Sequence, residues 1–253
     1  MTTYQKKIKK IAEMLCGPGP NFALTGAGIS TESGIPDFRS PGTGLWEKMD
    51  PTKTATTAVL QKDPRVFYKG NFDRFFRYSN AEPNSAHYGL AALEGRGYLR
   101  GVITQNIDGL HQKAGTKSIW EVHGHLRTCS CQKCAEVFAF EYLTDQYASG
   151  VNPPVCGKCE GVLRPDVVLF GDPMSDDFSD ALVALEGCRL LIVAGTSLTV
   201  FPVANLPAMA KKLVIINRDP TPWDSSAEVV LRDSLGKVFS DIINELDGKG
   251  VKS

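Results

Sequence analysis

Two runs late in the chain, Leu190–Ala194 and Leu213–Asn217, are apolar at successive positions rather than alternate ones. A strand without alternation buries both of its faces, as in parallel sheets covered by helices on either side. Asn21–Thr25, Gly101–Thr104 and Val229–Leu231 are further strand candidates, and Val167–Phe170 is another apolar run. The text between them is helical. Residues 4–15 place Ile8, Ile11, Met14 and Leu15 on one face, Pro83 and Asn84 open a helix through Leu93, and Leu235–Leu246 closes the chain. The expected fold class is α/β, an open sheet interrupted by a helical, aromatic excursion (Pro41–Tyr78) and a cysteine-rich, loop-like one (Cys129–Cys159). At 253 residues the chain has room for one large domain or one and a half.

Several classes are excluded early. An apolar share of 42% is too high for a disordered chain. Lys and Arg total 28, as do Asp and Glu, so no bulk charge attracts nucleic acid, and no direct nucleic-acid binding is expected. Leu190–Ala210 is uncharged over 21 residues, long enough to span a bilayer. It contains Gly195, Thr196, Ser197, Pro202, Asn205 and Pro207, however, and reads as a strand, a polar turn and a short apolar helix. With no apolar secretion core among the first ten residues, the expected setting is cytoplasmic, away from membranes.

Four of the seven cysteines form two Cys-x-x-Cys pairs, Cys131/Cys134 and Cys156/Cys159, with 21 residues between them. In a reducing compartment such knuckles are metal ligands rather than disulfides. Four thiolates close a tetrahedral shell, so one structural Zn²⁺ is expected. Cys129 sits too close to Cys131 to make an equivalent knuckle, and Cys16 and Cys188 read as small buried apolar residues.

Gly26-Ala27-Gly28-Ile29-Ser30-Thr31 follows a strand and opens the next element, where glycines let backbone approach a pyrophosphate. The sixth position is Thr31 rather than Gly or Ala, so the segment by itself serves equally as an ordinary tight turn. Polar groups recur after strands: Gln105-Asn106-Ile107-Asp108, Gly195-Thr196-Ser197 and Asn217-Arg218-Asp219. They are either helix caps or the converging wall of one crevice beyond the strand ends. His123, in Glu121-Val122-His123-Gly124-His125, has the side chain of a general base, but spacing alone leaves it open whether His123 and His125 are surface or metal residues.

Read together and in order, the segment Gly26–Arg39, Thr104-Gln105-Asn106-Ile107-Asp108-Gly109-Leu110-His111, His123-Gly124, the four cysteines and Gly195-Thr196-Ser197-Leu198 resemble the sirtuins, NAD-dependent protein deacylases, over about Ile8–Phe239. The resemblance implies a Rossmann-like NAD-binding domain (1–38, 79–124 and 165–253) with a small domain made of a helical module (39–78) and a zinc-binding module (125–164). It places Gly26, Ala27, Gly28, Ser30, Glu32, Asp37, Phe38 and Arg39 on the NAD loop. Gln105, Asn106, Ile107 and Asp108 fall at the nicotinamide end, Gly195, Thr196 and Ser197 at phosphate and ribose, and Asn217, Arg218, Asp219 and Leu235 at the adenosine end. His123 becomes the catalytic base, with Asn106 beside it. Val168, Phe170, Leu198 and Val200 flank an acetyl-lysine substrate bound as an extended strand.

The implied chemistry consumes NAD as an electrophile. Nicotinamide leaves, the acetyl-lysine carbonyl captures the ribose through an imidate, and O-acetyl-ADP-ribose results. Relatives that prefer acidic acyl groups carry a Tyr-x-x-Arg pair in the helical module. Here Tyr68-Lys69-Gly70-Asn71 lacks the Arg, which favours acetyl over succinyl or malonyl. Rival readings are an NAD dehydrogenase, a zinc module contacting nucleic acid, a deacylase of other acyl-lysines and, closest, a protein mono-ADP-ribosyltransferase.

Overall fold

The computed structural model describes residues 1–37, 51–79 and 81–250. Helix α1 (Thr3–Leu15) starts on a capping box between Thr2 and Gln5 and buries Ile8, Ile11, Met14 and Leu15. Strand β1 (Asn21–Thr25) leads into a short 3-10 helix, Ala27–Ser33, where the sequence suggests the start of a longer helix. Three helices follow: α2 (Pro51–Thr54), α3 (Thr57–Lys62) and α4 (Pro64–Ser79). Helix α5 (Ser85–Gly95) precedes β2 (Gly101–Thr104), and a single turn α6 (Leu110–Lys113) precedes β3 (Ile119–Glu121), a strand too short to show in the sequence pattern.

Strands β4 (Gly124–Cys131) and β5 (Val137–Ala139), helix α7 (Phe140–Ala148) and strand β6 (Leu163–Val167) occupy the cysteine-rich stretch. The expected loop is therefore an antiparallel sheet, ordered β5-β4-β6, with a helix beside it. Cys129 and Cys131 point inward on β4 while Phe140 and Leu143 anchor α7. The apolar run at 167–170 is displaced as well: pairing covers Leu163–Val167, and the chain then leaves the sheet.

The remainder is helix α8 (Asp176–Ala184), β7 (Leu190–Ala194), a 3-10 segment (Val203–Met209), β8 (Lys212–Ile216), β9 (Val229–Leu231) and α9 (Leu235–Gly250). Every pairing in the main sheet is parallel, in the order β3-β2-β1-β7-β8-β9. Successive side chains leave opposite faces of a strand. Ala23, Leu190, Ile192, Val214 and Ile216 accordingly pack under α1, α5 and α9, while Leu24, Leu191, Val193, Leu213 and Ile215 pack under α8 and the Val203–Met209 segment. A third core joins Leu60, Phe67, Tyr68 and Phe75 of the helical excursion to Cys129, Phe140, Leu143 and Leu163 of the cysteine-rich one.

Cys188 is buried as expected, whereas Cys16 is exposed. It caps the C-terminus of α1, one position past the last buried residue of that helix. No helix among the described residues is long and apolar enough to cross a membrane.

Helix α5 crosses α9 closely because Gly89 has no side chain there: a Cβ on Gly89 would lie 2.7 Å from the Phe239 Cβ. Replacing a mid-helix Gly by Ala gains roughly 0.5–1 kcal/mol of propensity, but overpacking a tight contact costs about 1–3 kcal/mol. Gly89→Ala is therefore expected to lower the urea midpoint with an unchanged m-value; an unchanged or higher midpoint would show that α5 and α9 can part freely.

Candidate active site and metal centre

Strands β1 and β7 lie side by side at the point where sheet order reverses, and such switch points open a crevice at the carboxyl ends of the strands. The chain turns there with almost no room. Gly28 N–H donates to Gly195 O at 2.8 Å, and a Cβ on Gly28 would lie 2.8 Å from the Gly195 Cα. A Cβ on Gly26 would meet the Thr196 Cβ at 2.7 Å, and Gly195 itself has φ +65°.

Above this junction is a cleft of about 370 Å³. It collects Gly26, Ala27, Gly28, Ser30 and Asp37 from the first loop, Gln105, Asn106, Ile107 and Asp108 from the end of β2, and His123. Gly195, Thr196 and Ser197 follow β7, Asn217 and Asp219 follow β8, and Val168, Phe170 and Val200 complete the expected set. An adjoining recess of about 40 Å³ holds Glu32, Arg218 and Leu235. Leu198 lies in neither; its side chain is buried in the second core, which leaves only its backbone for a ligand. Phe38 and Arg39 lie outside the described residues. Ile35, Val167, Leu169 and Gly171 also line the cleft, inside segments the sequence singles out without assigning those residues, while Ala55, Asp172, Met174, Phe201 and Pro202 line it with no motif to mark them.

The polar groups are held by one another. Asn106 Nδ2 donates to Gly26 O at 3.2 Å and to Ser30 Oγ at 3.1 Å, while Ser30 Oγ donates to Asp108 Oδ2 at 2.7 Å. Asp108 also accepts the Leu110 N–H at 3.0 Å, yet burial outweighs these bonds and raises its carboxyl above the usual range. Gln105 Nε2 reaches Thr196 Oγ1 at 3.0 Å, tying β2 to β7 across β1. Behind this layer stand two buried histidines absent from the expected site, His87 and His111, their rings 5.0 Å apart. Burial lowers His87 to about 4 and His111 to about 3, so both are neutral hydrogen-bonding groups.

His123 Nδ1 lies 3.0 Å from Gln105 O. A carbonyl can only accept, so Nδ1 carries the proton and Nε2 keeps a free lone pair. Burial pushes the ring below its ordinary value. The result is a neutral imidazole in the cleft wall, suited to receive a proton.

The four cysteine sulfurs lie within 4.8 Å of one another. Cys131 and Cys159 are 3.5 Å apart and Cys134 and Cys156 3.7 Å, against about 3.8 Å for the edge of a tetrahedron with Zn–S bonds of ~2.3 Å. The two knuckles repeat each other. Lys133 and Lys158 N–H each donate to the sulfur two residues back at 3.4 Å, and Ala135 and Glu160 both turn with φ +59°. The donor set fits a closed structural zinc site.

Residues 26–202 match the model described as the Sir2 family. "NAD-dependent protein deacetylase 2" of Caldanaerobacter subterraneus subsp. tengcongensis is 52% identical over 94% of this chain and 95% of its own. "NAD-dependent protein deacetylase" of Caldivirga maquilingensis is 44% identical over 95% and 94%. Among solved structures, a Sir2 chain with p53 peptide and NAD⁺ superposes with a TM-score of 0.84 at 34% identity, covering 97% of this chain and all of the other. One with deacetylated p53 peptide and 3′-O-acetyl ADP-ribose gives 0.89 at 35% identity, covering 94% and 98%.

Because the cysteine cluster and the third core share β4, removing the metal is expected to unfold more than a loop. Cys131→Ser, or treatment of the native protein with a zinc chelator, should abolish bound zinc by elemental analysis and lower the melting temperature. A metal-free protein that melted unchanged would overturn the structural role.

Proposed function

The chain belongs to the Sir2 family, and from that premise we propose that it is an NAD-consuming protein lysine deacetylase. NAD, a protein's acetyl-lysine and one water become nicotinamide, free lysine and O-acetyl-ADP-ribose, the acetyl group passing to the ribose. The observation that carries this reading is the meeting, in one cleft, of the Gly28–Gly195 junction, the Ser30–Asn106–Asp108 set and a neutral His123 with Nε2 free.

The junction suits a dinucleotide: at Gly28 backbone packs directly on the Gly195 backbone, and both loops open onto the cleft beyond the strand ends. Gly26–Ser30 and Gly195–Ser197 would receive phosphate and ribose. Asn217, Arg218, Asp219, Leu235 and Glu32 would receive the adenosine end and Gln105, Asn106, Ile107 and Asp108 the nicotinamide end, while Asp37, Phe38 and Arg39 are assigned to the same NAD loop. Bound NAD supplies an electrophilic ribose carbon with nicotinamide as leaving group. Asn106, fixed by Gly26 O and Ser30, orients the reacting ends. His123 Nε2 takes the proton of a ribose hydroxyl, and the Nδ1 bond to Gln105 O supports the ring as it becomes charged.

The peptide would lie as an extended strand between Val168–Phe170 and Leu198–Val200, with Val168 and Phe170 walling the acetyl-lysine. No Lys or Arg lines the 370 Å³ cleft among the described residues. Tyr68 is buried with its hydroxyl on Leu163 O at 2.7 Å, and Asn71 Nδ2 is spent on Phe67 O and Thr54 O. A carboxylate-bearing acyl group would thus enter without a cationic partner, which supports acetyl over succinyl or malonyl. We assign residues 1–38, 79–124 and 165–253 to the NAD-binding domain, 39–78 to the helical module and 125–164 to the zinc module. Thiolate ligation of zinc suits a reducing, cytoplasmic setting.

Mass spectrometry of an acetyl-lysine peptide incubated with NAD and the protein tests the reading. Free lysine peptide with acetyl-ADP-ribose supports it; ADP-ribosylated protein, or no nicotinamide release, overturns it. His123→Ala should abolish turnover while ADP-ribose still binds. Because the folded ring titrates below about 6.5, the base stays neutral as pH falls past that value, so activity should hold to more acid pH before its acid limb begins. A limb centred above ~6.5 would contradict the environment assigned to His123.

A further inference from the structure

Between β6 and α8 the chain builds the cleft wall from Val168 to Asp172 with no regular secondary structure of its own. Backbone bonds tether it at two places. Val168 N–H donates to His123 O at 2.8 Å, and Phe170 exchanges bonds with the helical excursion, accepting from Thr57 N–H and donating to Ala55 O, both at 3.1 Å. The rest of its shape comes from one carboxylate.

Asp172 ties its own loop and the neighbouring strand β6 to the start of α3, 115 residues away in sequence. Its Oδ1 accepts from Thr57 Oγ1, at the start of α3, at 2.6 Å and from Arg164 Nη1 at 3.3 Å. Its Oδ2 accepts from Leu169 N–H, in its own loop, at 2.8 Å and from Arg164 Nη2 of β6. Arg164 Nη2 also holds Val167 O at 3.1 Å. A carboxylate offers about four lone-pair sites, and all are engaged. Burial would raise this carboxyl, but the bonds from Arg164, Thr57 and Leu169 outweigh it and keep it below the usual range. Arg164 and Asp172 are only 26% and 10% exposed, so removing the carboxylate's charge would leave a largely buried guanidinium without its counter-ion.

We propose that Asp172 is a positioning residue for the acyl-peptide: it fixes the Val168–Gly171 edge and locks that edge to both the helical excursion and β6. The inference rests on the deacetylase reading. Asp172 touches neither the Gly28–Gly195 junction nor the Ser30–Asn106–Asp108 set, so its loss should weaken peptide binding and leave dinucleotide binding intact.

The test titrates wild type, Asp172→Asn, Thr57→Val and Thr57→Ser separately with a fluorescent acetyl-lysine peptide and with ADP-ribose, and measures turnover. Asp172→Asn keeps the volume but turns one acceptor into a donor facing Arg164 or the Leu169 N–H. Peptide affinity should fall about tenfold or more, with the peptide KM rising more than kcat falls. Thr57→Val should lose several-fold in peptide affinity and Thr57→Ser recover it, which keeps the test decisive if Asp172→Asn folds poorly. Unchanged peptide affinity in the variants, or equal loss of peptide and ADP-ribose, would overturn the inference while a turning-over wild type leaves the deacetylase reading standing. A wild type that deacetylates nothing would remove that reading, and this inference with it.

Discussion

The approach of Gly28 to Gly195 is the contact on which the site depends. Strands β1 and β7 are in register along their whole length, Asn21 to Leu190 through Thr25 to Ala194. Their carboxyl ends therefore stop together, and two loops must leave the same spot in different directions. Backbone alone fits between them: Gly28 N–H bonds Gly195 O, and a side chain on either residue would strike the other's backbone. With that closure made, Asn106 comes within reach of Gly26 O and Ser30, and Gln105 within reach of Thr196. The polar layer is thus a consequence of close packing below it, as expected where interiors are dense and side chains have few alternative positions.

What the sequence makes legible follows from the same packing. Leu190–Ala194 and Leu213–Ile216 are readable because both faces of each strand are covered, so burial writes an unbroken apolar run. The cysteine knuckles are readable because zinc demands fixed spacing. The antiparallel sheet and α7 are not: β4 reads Gly-His-Leu-Arg-Thr-Cys-Ser-Cys, with small polar residues where a strand would ordinarily show β-branched ones, and its inward positions are cysteines claimed by the metal pattern. Cys16 misleads because residue type suggests burial while its place at the helix cap decides exposure. Leu198 misleads because a positive φ of +53° turns its side chain from the loop it interrupts into the core. His87 sits on a helix read only from its Pro-Asn start and apolar run, and His111 on a single turn with no periodic pattern, so their meeting behind Ser30 and Thr25 exists only in three dimensions.

Strand β4 gives the metal centre its reach. It begins at Gly124, next to His123, and ends at Cys131, so one extended segment joins the proposed base to a zinc ligand. Partner β6 runs back alongside, pairing Cys131 with Leu163 at the metal end and Gly124 with Val167 at the cleft end, and Val168 N–H then bonds His123 O. The register breaks between Gly124 and Cys129, so the two ends are tied to β6 separately, with Thr128 and Ser130 both donating to Asp166 between them. A tetrahedral thiolate site cannot itself act on a substrate, because no coordination position is open. It can fix one end of the β4–β6 pair, whose other end adjoins the proposed base, His123, and the first residue of the proposed peptide wall, Val168. Helix α4 closes the arrangement by packing Phe67, Tyr68 and Phe75 into the core that also holds Cys129, Cys131 and Leu163, so the helical and cysteine-rich segments share one core.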